Sequence, residues 1–85
     1  MITKETVAHR LIDYLKGQVE LEALVSWAED VMAEGEIDDR DFDVIREIVA
    51  RLGLADVAAF GLSWGDAREM LTALGYRPKL EFETL

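Results

Sequence analysis

Four amphipathic segments, each followed by a glycine, make up most of this chain. Apolar residues recur every three or four positions ahead of Gly17, Gly35, Gly53 and Gly75. That spacing places them on one face of an α-helix, and glycine in a left-handed conformation commonly ends a helix. With one proline in 85 residues, the pattern predicts an all-α fold: four main helices in a small orthogonal or bundle-like domain with short glycine-capped loops.

Polar residues ahead of the apolar runs predict where the helices begin. Thr3 is expected to cap a first helix over residues 4–16, because its hydroxyl can accept the exposed amides of the first turn. Asp38 is expected to cap the third helix. Ser63 is expected to cap the fourth, with Asp66 in the reciprocal position of a capping box.

The apolar stripes predict the core. The sequence contains no cysteine, so packing alone must stabilise the fold. The residues expected to face inward are Val7, Ala8, Leu11, Ile12 and Leu15 in the first helix, Leu21, Leu24, Val25, Ala28, Val31 and Met32 in the second, Phe42, Ile45, Ile48, Val49 and Leu52 in the third, and Ala67, Met70, Leu71 and Leu74 in the fourth.

Residues 79–85 follow a different pattern from the rest of the chain. Leu80, Phe82 and Thr84 alternate with charged residues, which is typical of an extended segment. We expect one domain over residues 1–85 whose C-terminal tail either lies over the helices or pairs as a strand with another copy. The protein is accordingly expected to be a monomer or a weak homo-oligomer, the second arrangement making it a structural homo-oligomer joined through the tail.

The charge of the chain limits its partners. The formal net charge is −9 and the isoelectric point is about 4.4. Phosphate backbones and anionic lipids repel such a polyanion, so we expect no nucleic-acid or membrane partner and favour a basic protein. No secretory leader pattern and no run of 18 apolar residues is present, which predicts a cytoplasmic protein.

Acidic residues concentrate between the second and third predicted helices. Residues 29–43, called the acidic corner below, contain eight Asp or Glu residues and one base, Arg40. Carboxylates gathered in this way can steer and orient a basic partner, whereas the alternative is that they serve only solubility. The predicted partner-binding residues are Trp27, Asp30, Glu34, Glu36, Asp38, Asp39 and Asp43.

The two tryptophans have two interpretations. Either both pack at the border of the core, or one anchors an interface, where tryptophan is enriched. Trp27 lies next to the acidic corner and is the better candidate for an anchor, whereas Trp64, at a helix start, is expected simply to pack.

In size, acidity and helical pattern, the chain resembles the small helical immunity proteins that neutralise bacterial nuclease toxins. The resemblance lies in overall character and not in a motif. It implies a non-catalytic inhibitor that holds a basic enzyme inactive.

Part of the acidic corner suggests a different function. Gly35 stands at a sharp-turn position, Ile37 at an apolar position and Asp41 at a final acidic position, so this stretch resembles the second half of a calcium-binding EF-hand loop. Asp30 would match the first ligand, but Met32 occupies a position that requires an oxygen donor. A degenerate binder of divalent cations is therefore the alternative hypothesis.

Residues that support catalysis are sparse. The chain has no cysteine, one histidine (His9), no glycine-rich phosphate loop and no cluster with metal-ligand spacing. A general acid or base needs an oriented pocket and a reacting group, and neither is visible in the sequence. We expect no enzymatic activity, no catalytic residues, no cofactor and no bound metal.

Overall fold

The computed structural model describes residues 1–57 and 61–77. The prediction of an all-α fold with four main helices is confirmed. Helix α1 spans Lys4–Leu15, α2 spans Leu21–Glu34, α3 spans Phe42–Leu52 and α4 spans Trp64–Ala73, with a 3-10 turn at Asp39–Asp41 just before α3. The predicted tail over residues 79–85 lies outside the described residues, so its conformation stays a prediction.

The caps of α1 and α4 form as predicted. The Thr3 hydroxyl accepts the amide of Thr6 at 3.2 Å, and the Thr3 amide donates to the Thr6 hydroxyl at 3.3 Å. At α4, the Ser63 hydroxyl accepts the amide of Asp66 at 3.0 Å, and the Asp66 carboxylate accepts the Ser63 amide at 3.1 Å. Each capping box satisfies amides that a helix start leaves without partners.

Two of the four glycines that follow the helices are not left-handed. Gly17 and Gly75 have φ values of +78° and +91°, so they provide the left-handed residues expected after α1 and α4. Gly35 and Gly53 follow α2 and α3 with φ values of −70° and −65°. A left-handed cap therefore does not explain glycine at either position, and the prediction for Gly53 was wrong.

The start of α3 also differs from the prediction. Asp38 caps the 3-10 turn instead of α3, because its carboxylate accepts the amide of Arg40, two residues on, at 3.1 Å. Helix α3 then begins at Phe42, with Asp41 in the cap position but without a capping hydrogen bond from its side chain. Because this hydrogen bond joins residues only two positions apart, it stabilises a separate 3-10 turn ahead of α3.

All four helices contribute to one core. Helix α1 contacts each of the other three, and α2 makes its most extensive contact with α3. The predicted stripes supply the core apart from the exceptions below. Its buried members are Val7, Ala8, Leu11, Leu24, Ala28, Val31, Ile45, Ile48, Val49, Leu52, Ala67, Met70, Leu71 and Leu74.

Two residues predicted to be buried are exposed. Met32 is 42% exposed and Phe42 is 43% exposed. Met32 shares concave surface with Ala50 of α3, whose side chain is too short to cover a methionine. Phe42 is the first residue of α3, about one turn ahead of the first buried residue of that helix, Ile45. The helical period predicts which side of the helix these residues lie on. It does not predict whether a neighbouring side chain is large enough to cover them.

The capping box of α4 makes stability depend on pH. The Ser63 amide, followed by the Ser63 hydroxyl and Arg51, holds the pKa of Asp66 below its ordinary value of 3.8. A carboxyl group whose pKa is lower in the folded state stabilises the fold above its unfolded pKa, and that contribution is lost as pH falls through the folded value.

We therefore expect Asp66→Asn to be less stable than the wild type at pH 7, and the difference to shrink as the pH falls below 3.8. Urea unfolding of both proteins between pH 7 and pH 2.5 measures this difference. A difference that does not change with pH would show that the charge of Asp66 contributes nothing to the cap.

Candidate protein-binding surface

The N-terminal segment holds the acidic corner in place. Ile2 pairs with Ile37 in a short parallel bridge, in which the Ile2 amide donates to the Glu36 carbonyl at 2.6 Å and the Asp38 amide donates to the Ile2 carbonyl at 2.9 Å. Ile2 and Ile37 also pack against the core. The turn between α2 and α3 is therefore fixed by hydrogen bonds to a segment more than 30 residues away.

Two acids of the corner have structural roles. Asp38 is only 9% exposed, and its carboxylate lies 3.5 Å from the Arg40 guanidinium in addition to accepting the Arg40 amide. Asp41 is half-buried and lies 3.6 Å from the ammonium of Lys4. Because its carboxylate is buried and paired, Asp38 is a poor contact for a partner, and we correct its assignment to the docking surface.

The other six acids of the corner are exposed. Among residues 1–57 and 61–77, none of the six forms an ion pair. Arg40, the one base of the corner, pairs with Asp38. Five of them belong to the predicted docking set, and the sixth is Glu29. The exposed acids are Glu29, Asp30, Glu34, Glu36, Asp39 and Asp43.

The charged residues of helix α2 are all acidic. Its 14 residues include four acids, Glu22, Glu29, Asp30 and Glu34, and neither lysine nor arginine, and all four acids are exposed. Glu34 is the last residue of the helix. The C-terminal end of a helix carries a partial negative charge, so a carboxylate there is repelled by the helix itself. Asp30 lies one turn earlier and adds like-charge repulsion.

Acids at the start of α3 have the opposite energetic effect. Asp39 and Asp41 lie in the 3-10 turn and Asp43 lies in the first turn of α3, where the positive end of the helix favours a carboxylate. The acidic corner thus combines two kinds of acid. Those that begin α3 stabilise the fold, and Asp30 and Glu34 at the end of α2 destabilise it.

Trp27 and Trp64 have different environments. Trp27 is half-buried against the core, and the Arg10 guanidinium lies 5.4 Å from the centroid of its ring. Trp64 is 50% exposed, so the expectation that it simply packs was wrong. Since Trp27, Asp30 and Glu34 are three and seven residues apart, they share one side of α2. An anchoring role for Trp27 stays a prediction.

A cleft beside the acidic corner is lined by both positively and negatively charged side chains. It has a volume of about 510 Å³ and is lined by Lys4 and Arg40 as well as by Glu5, Asp38 and Asp41. Lys4 pairs with Asp41, and Arg40 pairs with Asp38. The cations therefore neutralise neighbouring carboxylates at the cleft, and the net negative charge of the corner lies on α2, the turn that follows and the start of α3.

The corner does not have the geometry of an EF-hand loop. Asp30 and Met32 lie within α2, which continues to Glu34, and Gly35 is extended with ψ 142°, so the backbone does not curl around an ion. Within residues 1–57 and 61–77, no three Asp, Glu or His side chains come together in a group that could hold a metal. This geometry does not favour the divalent-cation hypothesis.

No protein-family model, curated protein or solved structure matches this chain. In the part of the chain that the structure describes, no helix has the length and apolar character needed to cross a bilayer. Function must therefore be inferred from the surface itself.

Proposed function

We propose that this protein is a non-catalytic binding module that presents the end of α2, the following turn and the start of α3 to a basic protein. The carboxylates of Asp30, Glu34, Glu36, Asp39 and Asp43 form the charged part of this surface, and Trp27 forms its aromatic edge. Asp38 supports the turn from within. Exposed carboxylates without internal partners raise the rate at which a cationic protein associates and fix its orientation.

The placement of acids at the end of α2 carries this proposal. Glu34 lies at the negative end of the helix, Asp30 lies one turn earlier, and no base occurs in the last turn. A requirement for solubility alone can be met by a carboxylate anywhere on the surface, including the many positions where it does not oppose a helix dipole. Acids at positions where they destabilise the fold favour a role in recognition.

An inhibitor of a basic enzyme fits this surface well. A nuclease that binds nucleic acid needs a cationic groove for the phosphates, and a row of carboxylates can occupy the same groove. The general resemblance to small acidic immunity proteins also favours a basic nuclease as the partner. The module would then act by covering the groove and would need no catalytic group of its own.

Neutralising the surface tests the proposal. The site variant carries Asp30→Asn, Glu34→Gln, Glu36→Gln and Asp39→Asn, and a matched control carries Glu5→Gln, Glu20→Gln, Asp56→Asn and Glu69→Gln. Each set removes four exposed carboxylates and changes the formal charge from −9 to −5. Each purified protein is immobilised and used to capture proteins from the native host at low salt.

We expect the wild type and the control to retain a basic protein that elutes as salt is raised, and the site variant to lose it. Circular dichroism of each variant verifies its fold. Equal retention by the site variant and the wild type would contradict the proposal, and so would equal loss from both variants, because total charge would then explain the binding.

A further inference from the structure

An apolar groove lies between α2 and α3, beside Glu29, one of the exposed acids. Met32 and Leu54 border it, and both are exposed, at 42% and 43%. The remaining lining is formed by Ala33, Ala50 and Gly53, with Glu29 as the one charged residue. The groove is open and has a volume of about 490 Å³, so it suits a protruding side chain of another protein better than an enclosed small molecule.

Small residues keep the groove open. A Cβ atom placed on Gly53 would lie 3.9 Å from the Ala28 Cβ, so α2 and α3 approach closely where α3 ends. Beyond this crossing, Ala50 and Gly53 offer no side chain long enough to cover Met32. A flexible, polarisable methionine is a side chain that adapts to different apolar partners.

The charges around the groove are negative on balance. Met32 also borders a second concave patch, which contains Asp43, Glu47, Arg46 and Arg51. Arg51 lies 3.3 Å from Asp66 and is neutralised by it. The groove and this adjoining patch together have three carboxylates, Glu29, Asp43 and Glu47, and two guanidinium groups, one of them already paired. This balance complements a cationic segment and repels a second copy of a chain with net charge −9.

We infer that this groove binds the apolar face of a basic amphipathic helix, with its apolar side chains against Met32 and Leu54 and its lysines or arginines towards Glu29, Asp43 and Glu47. Helices of this type bind apolar grooves through residues at positions i, i+3, i+4 and i+7. The inference rests on the proposed function and specifies the partner. The acids attract the segment, and the groove supplies the contact that holds it.

Synthetic peptides test the inference. One probe is an 18-residue helical peptide with leucines at positions i, i+3, i+4 and i+7 and lysines on the other face, and its control has serine in place of each leucine. Calorimetry measures the dissociation constants. NMR of the methionine methyl groups follows Met32, with the buried Met70 as an internal reference.

The leucine peptide is expected to bind at least tenfold more tightly than the serine peptide and to shift the Met32 methyl signal but not that of Met70. Met32→Ser combined with Leu54→Ser is expected to remove this tenfold difference. Val44→Ser, a change at a residue of α3 that is 37% exposed and lies outside the groove, is the matched control and should keep it.

The outcomes separate the groove from the acids. If the four-carboxylate site variant loses the peptide but the Met32→Ser and Leu54→Ser variant keeps it, the groove inference is overturned and the acidic surface stands. If the groove variant alone loses the peptide, the groove stands and the proposed role of the acids fails. Failure of the leucine peptide to bind, or binding no tighter than that of the serine peptide, also overturns the groove inference.

Discussion

Replacing Gly35 with alanine is expected to destabilise the protein by about 1–3 kcal/mol, the range for forcing extra atoms into packed structure. The added Cβ would lie 2.6 Å from the Val31 carbonyl oxygen and 2.8 Å from the Val31 Cα. Both are backbone atoms of α2, so no rotation of a side chain can make room. The Gly35 amide also donates to that same oxygen at 2.8 Å, and any shift that relieves the clash distorts this hydrogen bond.

Gly53→Ala is the matched control. Its φ is −65°, and an added Cβ would meet its nearest atoms at an ordinary 3.6 Å. Alanine fits that backbone and restricts the unfolded chain, so we expect Gly53→Ala to stabilise the protein by about 0.4–1 kcal/mol. Urea unfolding of the two variants measures both changes. A Gly35→Ala protein as stable as the wild type would show that Gly35 does not lie as close to the Val31 backbone as the structure places it.

Local patterns predicted most of the helical framework. Thr3 and Ser63 cap their helices as expected because a capping box involves residues only three positions apart. Most of the buried stripes were also predictable, since a 3.6-residue period defines the inward face of each helix. The end of α2 at Gly35 was predicted, but the lack of space for a Cβ beside Val31 depends on geometry that a sequence pattern does not contain.

The remaining fold depends on contacts between distant segments. The bridge between Ile2 and Ile37 was not predicted, because it joins residues far apart in sequence. Met32 was assigned to the core by its period, yet its exposure is set by the small size of Ala50 on the neighbouring helix. A helical period specifies a direction, whereas burial also requires something to pack against.

The candidate surface was predictable in part. The concentration of acids in residues 29–43 was visible in the sequence, and so was a capping role for Asp38, although the cap forms on the 3-10 turn and not on α3 as predicted. These two roles of Asp38 conflict, because a carboxylate that caps a turn and pairs with Arg40 is withdrawn from solvent. The groove beside Met32 could not be predicted, because it arises where two helices cross.

Charge reversal at Glu34 is expected to stabilise the protein. A lysine there would replace repulsion by the helix dipole with attraction, and would replace repulsion from Asp30 with an attractive pair one turn apart. The dipole change amounts to about 0.6–2 kcal/mol and the pair to about 0.4–1 kcal/mol, twice the value of each single interaction. Together they predict that Glu34→Lys is more stable by about 1–3 kcal/mol.

Asp43→Lys is the control at the other end of the acidic corner. Both substitutions change the formal charge from −9 to −7, so the relief of general repulsion is the same. Asp43 lies in the first turn of α3, where a lysine opposes the dipole, and its helical neighbours Arg46 and Glu47 offset each other. We expect Asp43→Lys to lose about 0.6–2 kcal/mol.

The free energy of unfolding of Glu34→Lys, measured in urea at pH 7 and low salt beside the wild type and Asp43→Lys, tests most directly whether the acids at the end of α2 oppose the fold. A more stable Glu34→Lys with a less stable Asp43→Lys is the predicted result. A Glu34→Lys protein that is less stable than the wild type would contradict it, because Glu34 would then be holding the structure together instead of being kept for a partner.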